Sequence, residues 1–554
     1  MRTLTGLGVS GGTAIGVVAL VAPPQPLPDE QPSSDPTADL SRVASALETV
    51  ATRLDATASL LDGDAADMVA AAAAIARDPG LLEAVGTHLS TMGPAHALHA
   101  AVGGYAEEFT ELGGYFAERV TDLLDVGARA EALLLGRPMP GVPELHGPSV
   151  VIAHDLAPAD TAVMDPAFVV GIVTEAGGRT SHTAIIASQR GIPAIVQAKG
   201  ALDIPDGVRV GIDGDTGELV LDPDEAWSTA REEKQLARAR ISQCSGPGAT
   251  SDGHHVLLLA NIGNAADAEL AGAADVEGVG LFRTEFLHLS ATQAPTVEEQ
   301  AAEYVRVLTP FGDRPVTVRT LDAGADKPLA FADLGPEPNP ALGRRGLRLM
   351  VEREDLLDDQ LTALARAAAE TGALVKVMAP MVSTAREADW FTRRAHAAGL
   401  PVAGVMIEVP AAALRAHHVL RVTDFASLGT NDLAQYTMAA DRMVGELSAL
   451  LDPWQPAVLD MVAAACEGGS ATGKAVGVCG ESAGDPLMAL VLTGLGVNSL
   501  SMSVQRVPMV RWALSQHTAQ ECVQLAVAAR SADSAEAALE AVRSTASTEL
   551  TDLL

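Results

Sequence analysis

The second half of the chain alternates between short apolar runs and longer helix-favouring segments. Eight such runs follow Gly253: Val256–Ala260, Gly278–Phe282, Val316–Val318, Val375–Met378, Val402–Ile407, Phe425–Leu428, Ala475–Val478 and Ser499–Met502. Eight strands that alternate with helices over about 300 residues are typical of a (β/α)8 barrel. The sequence therefore predicts that residues 249–554 form such a barrel.

Polar residues follow five of these predicted strands at the point where each strand ends. They are Arg283, Arg319, Glu408, the pair Asn431-Asp432, and Cys479. Because barrel active sites lie at the carboxyl ends of the strands, we expect these side chains to converge on one mouth. Polar residues also end strands for purely structural reasons, but these residue types at five ends favour an active site.

The first half of the chain predicts two further folding units. Residues 24–37 are rich in Pro, Asp and Ser and indicate a linker, and apolar residues recur at helical spacing from 40 to 135. This spacing predicts a bundle of three or four helices. Strand-like runs on both sides of the bundle predict an α/β unit closed by a hairpin. The whole chain is thus expected to be an α/β multidomain protein.

These patterns give the following domain boundaries. Residues 1–23 and 143–222 form the α/β domain, and residues 38–138 form the helical bundle inserted into it. Residues 223–248 form a charged connecting helix and a hinge, for which Gly246-Pro247-Gly248 supplies flexible backbone. The barrel follows from residue 249.

Charge and composition narrow the classes of partner. Lys and Arg total 37 and Asp and Glu total 71, so the formal net charge is −34. This charge argues against a general nucleic-acid or anionic-membrane binder, since both need basic surface, although a few arginines in a cleft can hold a small anion. The four cysteines show no disulfide or metal spacing. No membrane span is expected either, and we predict a cytoplasmic protein.

One segment of the α/β domain combines glycines, hydroxyl residues and a histidine, Gly177-Gly178-Arg179-Thr180-Ser181-His182-Thr183. The glycines allow a close turn, and Thr180 or Ser181 can cap the helix that begins there. His182 then lies near a helix N-terminus, where free N–H groups favour an anion. A lone histidine is usually structural, but this setting suits a nucleophile that accepts a phosphoryl group.

These motifs resemble those of a known family. The histidine segment, with Gly191-Ile192-Pro193-Ala194 after it, is similar to the phosphohistidine domain of enzyme I, the phosphoenolpyruvate–protein phosphotransferase of the bacterial sugar phosphotransferase system. The resemblance covers nearly the whole chain and includes Gly278–Leu287, Arg319–Asp322, Asn339–Gly343, Gly429–Tyr436 and Cys479–Asp485. It implies an enzyme that moves the phosphoryl group of phosphoenolpyruvate to its own histidine and then to the carrier protein HPr, releasing pyruvate. It also implies a homodimer formed through the barrel.

The resemblance gives each candidate residue a role. His182 would carry the phosphoryl group, and Cys479 would donate a proton to the enolate that remains. Mg²⁺ prefers hard oxygen ligands, and Glu408 and Asp432 are the predicted ones. Guanidinium groups pair with carboxylate and phosphate. The predicted substrate-binding residues are Arg283, Arg319, Asn431, Asp432 and Arg442.

The helical bundle is the predicted docking surface for HPr. It carries Asp62, Asp64, Asp67, Asp78 and Glu83, which we expect to complement a basic region of the carrier. A solvated acidic face without a partner is the alternative interpretation of these residues. Where the family usually has a histidine in this bundle, the segment Met68–Leu81 has alanines, so the contacts with the carrier can differ in detail.

Two other functions stay open from the sequence. Pyruvate phosphate dikinase and phosphoenolpyruvate synthase share the histidine domain and the barrel, but they need a nucleotide-binding domain ahead of the histidine. Here those residues predict a helical bundle, and they contain no P-loop motif. The other alternative is a non-catalytic regulatory scaffold, against which the complete set of site residues argues.

Overall fold

The computed structural model describes residues 2–21, 27–59, 63–112, 119–137, 139–143, 145–156, 164, 167–178, 182–288, 291–323, 329–332, 335, 337–442 and 444–554. The predicted cap at Thr180 or Ser181, the acidic residue Asp62, and the side chains of Asp64, Asp67 and His182 lie outside this part of the chain. The chain divides into two compact units, Met1–Gln235 and Leu236–Leu554. Across the described ranges, no helix is long and apolar enough to cross a membrane.

The N-terminal unit contains an eight-stranded mixed sheet. Its strands are β1 Thr3–Thr5, β2 Leu7–Ser10, β3 Thr13–Leu20, β4 Ser149–Ala153, β5 Val169–Thr174, β6 Ala194–Val196, β7 Arg209–Asp213 and β8 Glu218–Leu221. Their order in the sheet is β1-β8-β7-β3-β4-β5-β6-β2. Strand β3 pairs in parallel with β4 across the inserted bundle, so the segments on both sides of the bundle form one sheet, as predicted.

Side chains of β4 alternate between the two faces of this sheet. Val150 and Ile152 join one apolar cluster, whereas Val151 and Ala153 join another. Successive residues of a strand point to opposite faces, so a strand that is apolar throughout is buried on both. The described α-helices of this unit outside the bundle are α6, His182–Arg190, and α7, Glu225–Ile241, which extends past the unit boundary.

The inserted bundle has a core of its own. Its described helices are α1 Pro36–Ala58, α2 Gly63–Ala76, α3 Pro79–His88, α4 Pro94–Leu112 and α5 Val120–Leu134. The prediction of three or four helices is therefore too low. Asp78-Pro79 separates α2 from α3 and begins α3. The Asp78 carboxylate accepts a hydrogen bond from the Gly80 amide at 2.7 Å, and proline suits the first helical position.

The C-terminal unit is a closed barrel of eight strands. They are β9 Leu257–Ile262, β10 Val279–Arg283, β11 Val316–Arg319, β12 Val375–Ala379, β13 Ala403–Ile407, β14 Phe425–Leu428, β15 Ala475–Val478 and β16 Ser499–Met502. Neighbours pair in parallel around the ring, and β16 pairs with β9 to close it. The predicted fold class is thus confirmed, and the predicted strand ends differ from the observed ones by at most two residues.

Helices surround the barrel and continue beyond its last strand. They are α8 Ala265–Ala273, α9 Val297–Leu308, α10 Leu347–Glu352, α11 Glu354–Thr371, α12 Ala385–Ala397, α13 Pro410–Leu414, α14 Ala416–Leu420, α15 Thr430–Met438, α16 Pro456–Thr472, α17 Pro486–Gly494, α18 Val507–Ser515, α19 Ala519–Arg530, α20 Ala535–Thr545 and α21 Thr548–Leu553. The largest apolar core lies between these helices and the strands. Burying this layer fixes the strands, and the strand ends in turn fix the mouth.

The predicted glycine–proline–glycine hinge is held to the barrel unit. The amide of Gly246 donates to Asp275 Oδ2 at 2.6 Å, and the amide of Gly248 donates to Glu277 Oε2 at 3.1 Å. Both carboxylates thereby restrain the backbone that the sequence suggested was flexible. The boundary between the two compact units lies after Gln235, inside α7 and within the predicted connection at 223–248.

Candidate active site

The barrel brings the predicted strand-end residues to its carboxyl side. Arg283 and Arg319 are the last residues of β10 and β11, Glu408 follows β13, and Cys479 follows β15. Asn431 and Asp432 lie in the first turn of α15, which begins two residues after β14 ends. Parallel strands of a closed barrel present their carboxyl ends at one mouth, so these residues share a single opening.

Buried arginines and carboxylates alternate across this mouth. Arg319 donates to Glu285 and lies 3.1 Å from Asp322 Oδ2. Arg345 Nη2 lies 2.9 Å from the same Asp322 oxygen, and Arg345 Nη1 lies 2.8 Å from Asp432 Oδ1. All five residues are buried. Charges taken out of water are costly unless they are paired, so this chain of ion pairs keeps the two buried arginines charged at the mouth.

Electrostatics hold the two arginines in their charged form. Burial lowers the pKa of Arg319, but the charges of Glu285 and Asp322 outweigh it and raise the pKa above its usual value. The same balance holds for Arg345, where burial opposes the charges of Asp322 and Asp432. A guanidinium in this setting is a permanent, oriented partner for phosphate or carboxylate.

Glu408 is a buried carboxyl group whose proton affinity is raised by its surroundings. Burial, together with the charges of Asp432 and Asp322, raises its pKa to about 8. Its Oε1 accepts a hydrogen bond from the Met381 amide at 2.6 Å. Its Oε2 is buried and has no hydrogen-bond partner among the described residues. Such an orphaned oxygen in a native site points to a proton, a water or a cation that completes it.

The surroundings of Glu408 fit a magnesium ion. A Cβ atom on Gly429 would lie 2.6 Å from Glu408 Oε2, so the glycine leaves space beside that oxygen. Asp432 is close enough for its charge to raise the pKa of Glu408. The described residues contain no group of three or more His, Cys, Asp and Glu side chains that would hold a metal alone. Mg²⁺ commonly takes one or two protein carboxylates and completes its shell with substrate oxygens and water.

Cys479 is a buried thiol that keeps its proton. Burial raises the pKa of Cys479, a hydrogen bond with Ser427 opposes this, and the charge of Glu408 raises the pKa further. The Cys479 amide donates to the Leu428 carbonyl at 3.0 Å, and Sγ lies 3.6 Å from the same oxygen. Its apolar neighbours are Leu281, Met378 and Met406. A protonated thiol in apolar surroundings beside charged groups can serve as a general acid.

Arg442 and Asn431 lie at the edge of this cluster. Arg442 Nη1 lies 4.0 Å from Asp432 Oδ2, and its amide donates to Gln435 Oε1 at 3.0 Å. Asn431 Oδ1 accepts from the Glu481 amide at 3.2 Å, which joins the α15 N-terminus to the loop after Cys479.

His182 lies in the N-terminal unit and is the first residue of α6. Its neighbour Thr183 is buried, with its hydroxyl 3.5 Å from the Leu156 carbonyl. The histidine and the barrel cluster therefore belong to different compact units. The first position of a helix exposes unpaired backbone N–H groups, which suits a residue that holds a phosphoryl group.

The structure adds three residues that the sequence reasoning did not single out. Glu285 lies two residues beyond the end of β10 and Asp322 three residues beyond the end of β11, within segments that the family resemblance covers. Arg345 follows the Asn339–Gly343 motif, but its neighbour Arg344 pairs at the surface with Glu337 at 3.0 Å. Two adjacent arginines look alike in sequence, and the pairing of Arg345 with the distant Asp322 and Asp432 distinguishes them.

Three family descriptions match the chain. They are the PEP-utilising enzyme PEP-binding domain over residues 240–519, the PEP-utilising enzyme mobile domain over 145–217, and the PEP-utilising enzyme N-terminal region over 5–119. The first of these spans the barrel and its charged mouth, and the second spans the segment with His182. The fold and the site thus define a PEP-utilising enzyme.

The relatives are more specific. A phosphoenolpyruvate-protein phosphotransferase of Streptomyces coelicolor is 50% identical and covers 96% of this chain and 97% of its own length. Enzymes of the same name from Haloferax volcanii and Bacillus subtilis are 39% and 35% identical, over 96% and 94% of this chain and 97% and 95% of theirs. The chain belongs to the phosphoenolpyruvate–protein phosphotransferase family.

Proposed function

We propose that this enzyme transfers the phosphoryl group of phosphoenolpyruvate to His182 and then to the carrier protein HPr, releasing pyruvate in the cytoplasm and starting a sugar-uptake phosphorelay. The observation that carries the proposal is the barrel mouth, where Arg319 and Arg345 form a chain of buried ion pairs with Glu285, Asp322 and Asp432, and where the buried thiol of Cys479 follows β15. Anion-binding groups and a proton donor are thereby combined in one site, as phosphoryl transfer from an enol phosphate requires.

The arginines supply the binding of the substrate. Phosphoenolpyruvate carries a carboxylate and a phosphate, and guanidinium groups pair with both. Arg283, Arg319 and Arg442 are proposed to hold these groups together with Asn431, and Arg345 holds Asp322 and Asp432 in place. Because Arg319 is already paired with Glu285 and Asp322, its orientation is set before the substrate arrives, which reduces the cost of ordering it.

Glu408 and Asp432 are the proposed ligands of Mg²⁺. The orphaned Oε2 of Glu408 and the space left by Gly429 support this assignment. When bound, the ion would supply positive charge that stabilises the phosphate and the developing enolate.

The transfer leaves the enolate of pyruvate, which needs a proton on its methylene carbon. As the P–O bond of the substrate breaks, a ring nitrogen of His182 forms the new P–N bond. The Cys479 thiol then gives its proton to the carbon, and the thiolate regains one from water. Burial keeps the thiol protonated, so the acid is in the correct form before each turnover.

The domains follow from these roles. We assign the phosphohistidine function to residues 1–23 and 143–222, HPr binding to 38–138, the connection to 223–248, and substrate binding and homodimer formation to 249–554. Within the bundle, Asp78 caps α3, so its carboxylate also has a structural task. Glu83 is exposed and is a better candidate for contact with a basic carrier.

Phosphoenolpyruvate labelled on its phosphate tests the proposed function. The parent enzyme is expected to form an acid-labile phosphoprotein, release one pyruvate per phosphoryl group, and pass the label to HPr. His182→Ala should form no phosphoprotein and still bind phosphoenolpyruvate, whereas Cys479→Ala should form it and release pyruvate slowly. Turnover of pyruvate that depends on ATP would instead assign the chain to the dikinases.

The carrier surface needs a separate test. Asp64→Lys and Glu83→Lys together should slow transfer to HPr in a salt-sensitive way and leave the phosphorylation of His182 unchanged. Asp78 is left intact in this pair because its side chain caps α3. An unchanged rate of transfer to HPr would remove the acidic bundle face from the proposal.

A further inference from the structure

Asn261 reaches across the barrel mouth to the backbone of Cys479. It lies near the carboxyl end of β9, and its Nδ2 donates to the Cys479 carbonyl at 3.2 Å and to the Ser501 carbonyl at 3.2 Å. Ser501 in β16 donates from Oγ to Asn261 Oδ1 at 2.6 Å. A single amide side chain thereby joins β9 to β16 and to the residue that follows β15.

The peptide of Cys479 is held from the opposite side as well. Its amide donates to the Leu428 carbonyl at the end of β14. The next residue, Gly480, packs so closely against Thr430 that a Cβ atom there would lie 1.9 Å from Thr430 Oγ1. The backbone of Cys479 therefore has fixed partners on the β14 side, and on the β9 side its carbonyl is held by Asn261.

Fixing this backbone also fixes the thiol. A cysteine side chain has one heavy-atom torsion, so the position of Sγ follows from the backbone and one staggered rotamer. A general acid has to lie within hydrogen-bond reach of the atom that it protonates, and a displacement of about 1 Å can cost about 100-fold in rate. The bonds to Asn261 thus act at a point where small shifts matter.

We propose that Asn261, supported by Ser501, is a positioning residue for the proton donor and determines which face of the enolate receives the proton. This inference rests on the proposed role of Cys479. Protonation breaks the S–H bond and forms a C–H bond at the methylene carbon, and the thiolate recovers its proton from water. Asn261 takes no part in the phosphoryl transfer. Phosphohistidine formation and protonation of the enolate should therefore respond differently to its removal.

Asn261→Leu keeps a side chain of similar size and removes all three hydrogen bonds. Phosphoenolpyruvate labelled stereospecifically on its methylene carbon reports the face of protonation in the pyruvate methyl group. We expect phosphohistidine to form within about twofold of the parent rate, pyruvate to form about 10–100-fold more slowly, and the stereochemical preference to be lost, since general acids contribute about 10²–10⁴-fold. Ser501→Ala, which leaves the backbone intact, should show the same pattern more weakly and serves as the test if the leucine variant does not fold.

Asn498→Ala is the matched control. Asn498 also bonds to the backbone of the β15–β16 pair, accepting from the Val476 amide at 3.0 Å, but at the amino ends of these strands, away from Cys479. This variant should keep the parent rate and stereochemistry. If it loses stereochemistry as Asn261→Leu does, general loosening of the barrel explains the effect and the positioning role is wrong.

Two further outcomes would overturn the inference. Equal losses in phosphohistidine formation and in protonation would show a merely structural role, and unchanged stereochemistry in Asn261→Leu would show no role. Cys479→Ala separates this from failure of the proposed function. If Cys479→Ala keeps the parent stereochemistry, Cys479 is not the general acid and the proposed function fails at that step. If Cys479→Ala loses the stereochemical preference and Asn261→Leu keeps it, only the positioning role of Asn261 is wrong. The double variant should be no worse than Cys479→Ala alone.

Discussion

Replacing Glu408 by glutamine should stabilise the barrel at high pH while it removes a proposed magnesium ligand. Burial and the neighbouring carboxylates raise the pKa of Glu408 from 4.5 to about 8, so the folded chain holds this proton more tightly than the unfolded chain does. At 1.36 kcal/mol per pH unit, the free energy of unfolding falls relative to its value at low pH by about 1 kcal/mol at pH 5, where the unfolded carboxyl already ionises, and by about 5 kcal/mol above pH 8. The stability that the proton confers is present below pH 4.5 and is lost as the pH rises through 8.

Glu408→Gln cannot ionise and should escape this loss. We expect the free energy of unfolding of the variant, relative to the parent, to increase by about 4 kcal/mol between pH 5 and pH 9 in the presence of EDTA. Denaturation followed by tryptophan fluorescence reports mainly on the barrel unit, which contains Trp390, Trp454 and Trp512. Comparing the two proteins at each pH cancels the titration of all groups they share.

Parallel stability curves for the parent and Glu408→Gln over this pH range would refute the reasoning. They would mean that Glu408 is ionised in the folded chain at neutral pH and that its environment compensates the charge. A pH-independent difference in the free energy of unfolding between the two proteins would not support the prediction, because the cost of burying the glutamine amide does not depend on pH.

The remaining predictions concern the same mouth. Binding of Mg²⁺ to the parent near pH 7 should release about 0.9 proton per site, since Glu408 must ionise to coordinate, and calorimetry in buffers of different ionisation enthalpy measures it. Gln360→Leu should lower the free energy of unfolding of the barrel by about 3 kcal/mol or more, as measured by chemical denaturation. Gln360 is fully buried, accepts a hydrogen bond from the Leu321 amide, and bonds to the hydroxyls of Thr284 and Tyr304. Arg345→Met should lower kcat/KM for phosphoenolpyruvate by about 100-fold, since hydrogen bonds to charged groups contribute about 1.5–3 kcal/mol and two carboxylates lose their cation.

The barrel was predictable because its pattern is local. The side chains of each strand are buried either inside the ring or under the helices. A short run of apolar residues is therefore enough to identify each strand in the sequence. The runs at 425–428, 475–478 and 499–502 coincide with β14, β15 and β16, and the other five differ from the strands only at the ends. The strand-end rule then placed Arg319, Glu408 and Cys479 at the mouth without any knowledge of contacts.

The contacts that complete the site could not be predicted in the same way. Arg345 lies in the site because it pairs with Asp322 and Asp432, which are 23 and 87 residues away in the chain. The backbone at Gly246 shows the same limit, since its restraint by Asp275, 29 residues away, cannot be read from the local sequence. Glycine favours a flexible backbone and arginine favours the surface, but long-range hydrogen bonds decide whether a particular glycine is flexible and a particular arginine is exposed.

The central claim is that His182, and no other histidine, receives the phosphoryl group of phosphoenolpyruvate. The chain contains 13 histidines, so a labelled protein alone does not identify the acceptor. Mass spectrometry of peptides prepared at alkaline pH from the enzyme after reaction with phosphoenolpyruvate locates the phosphohistidine directly. We expect phosphate on the peptide with His182 only; phosphate on another histidine, with none on His182, would contradict the role of His182 as acceptor.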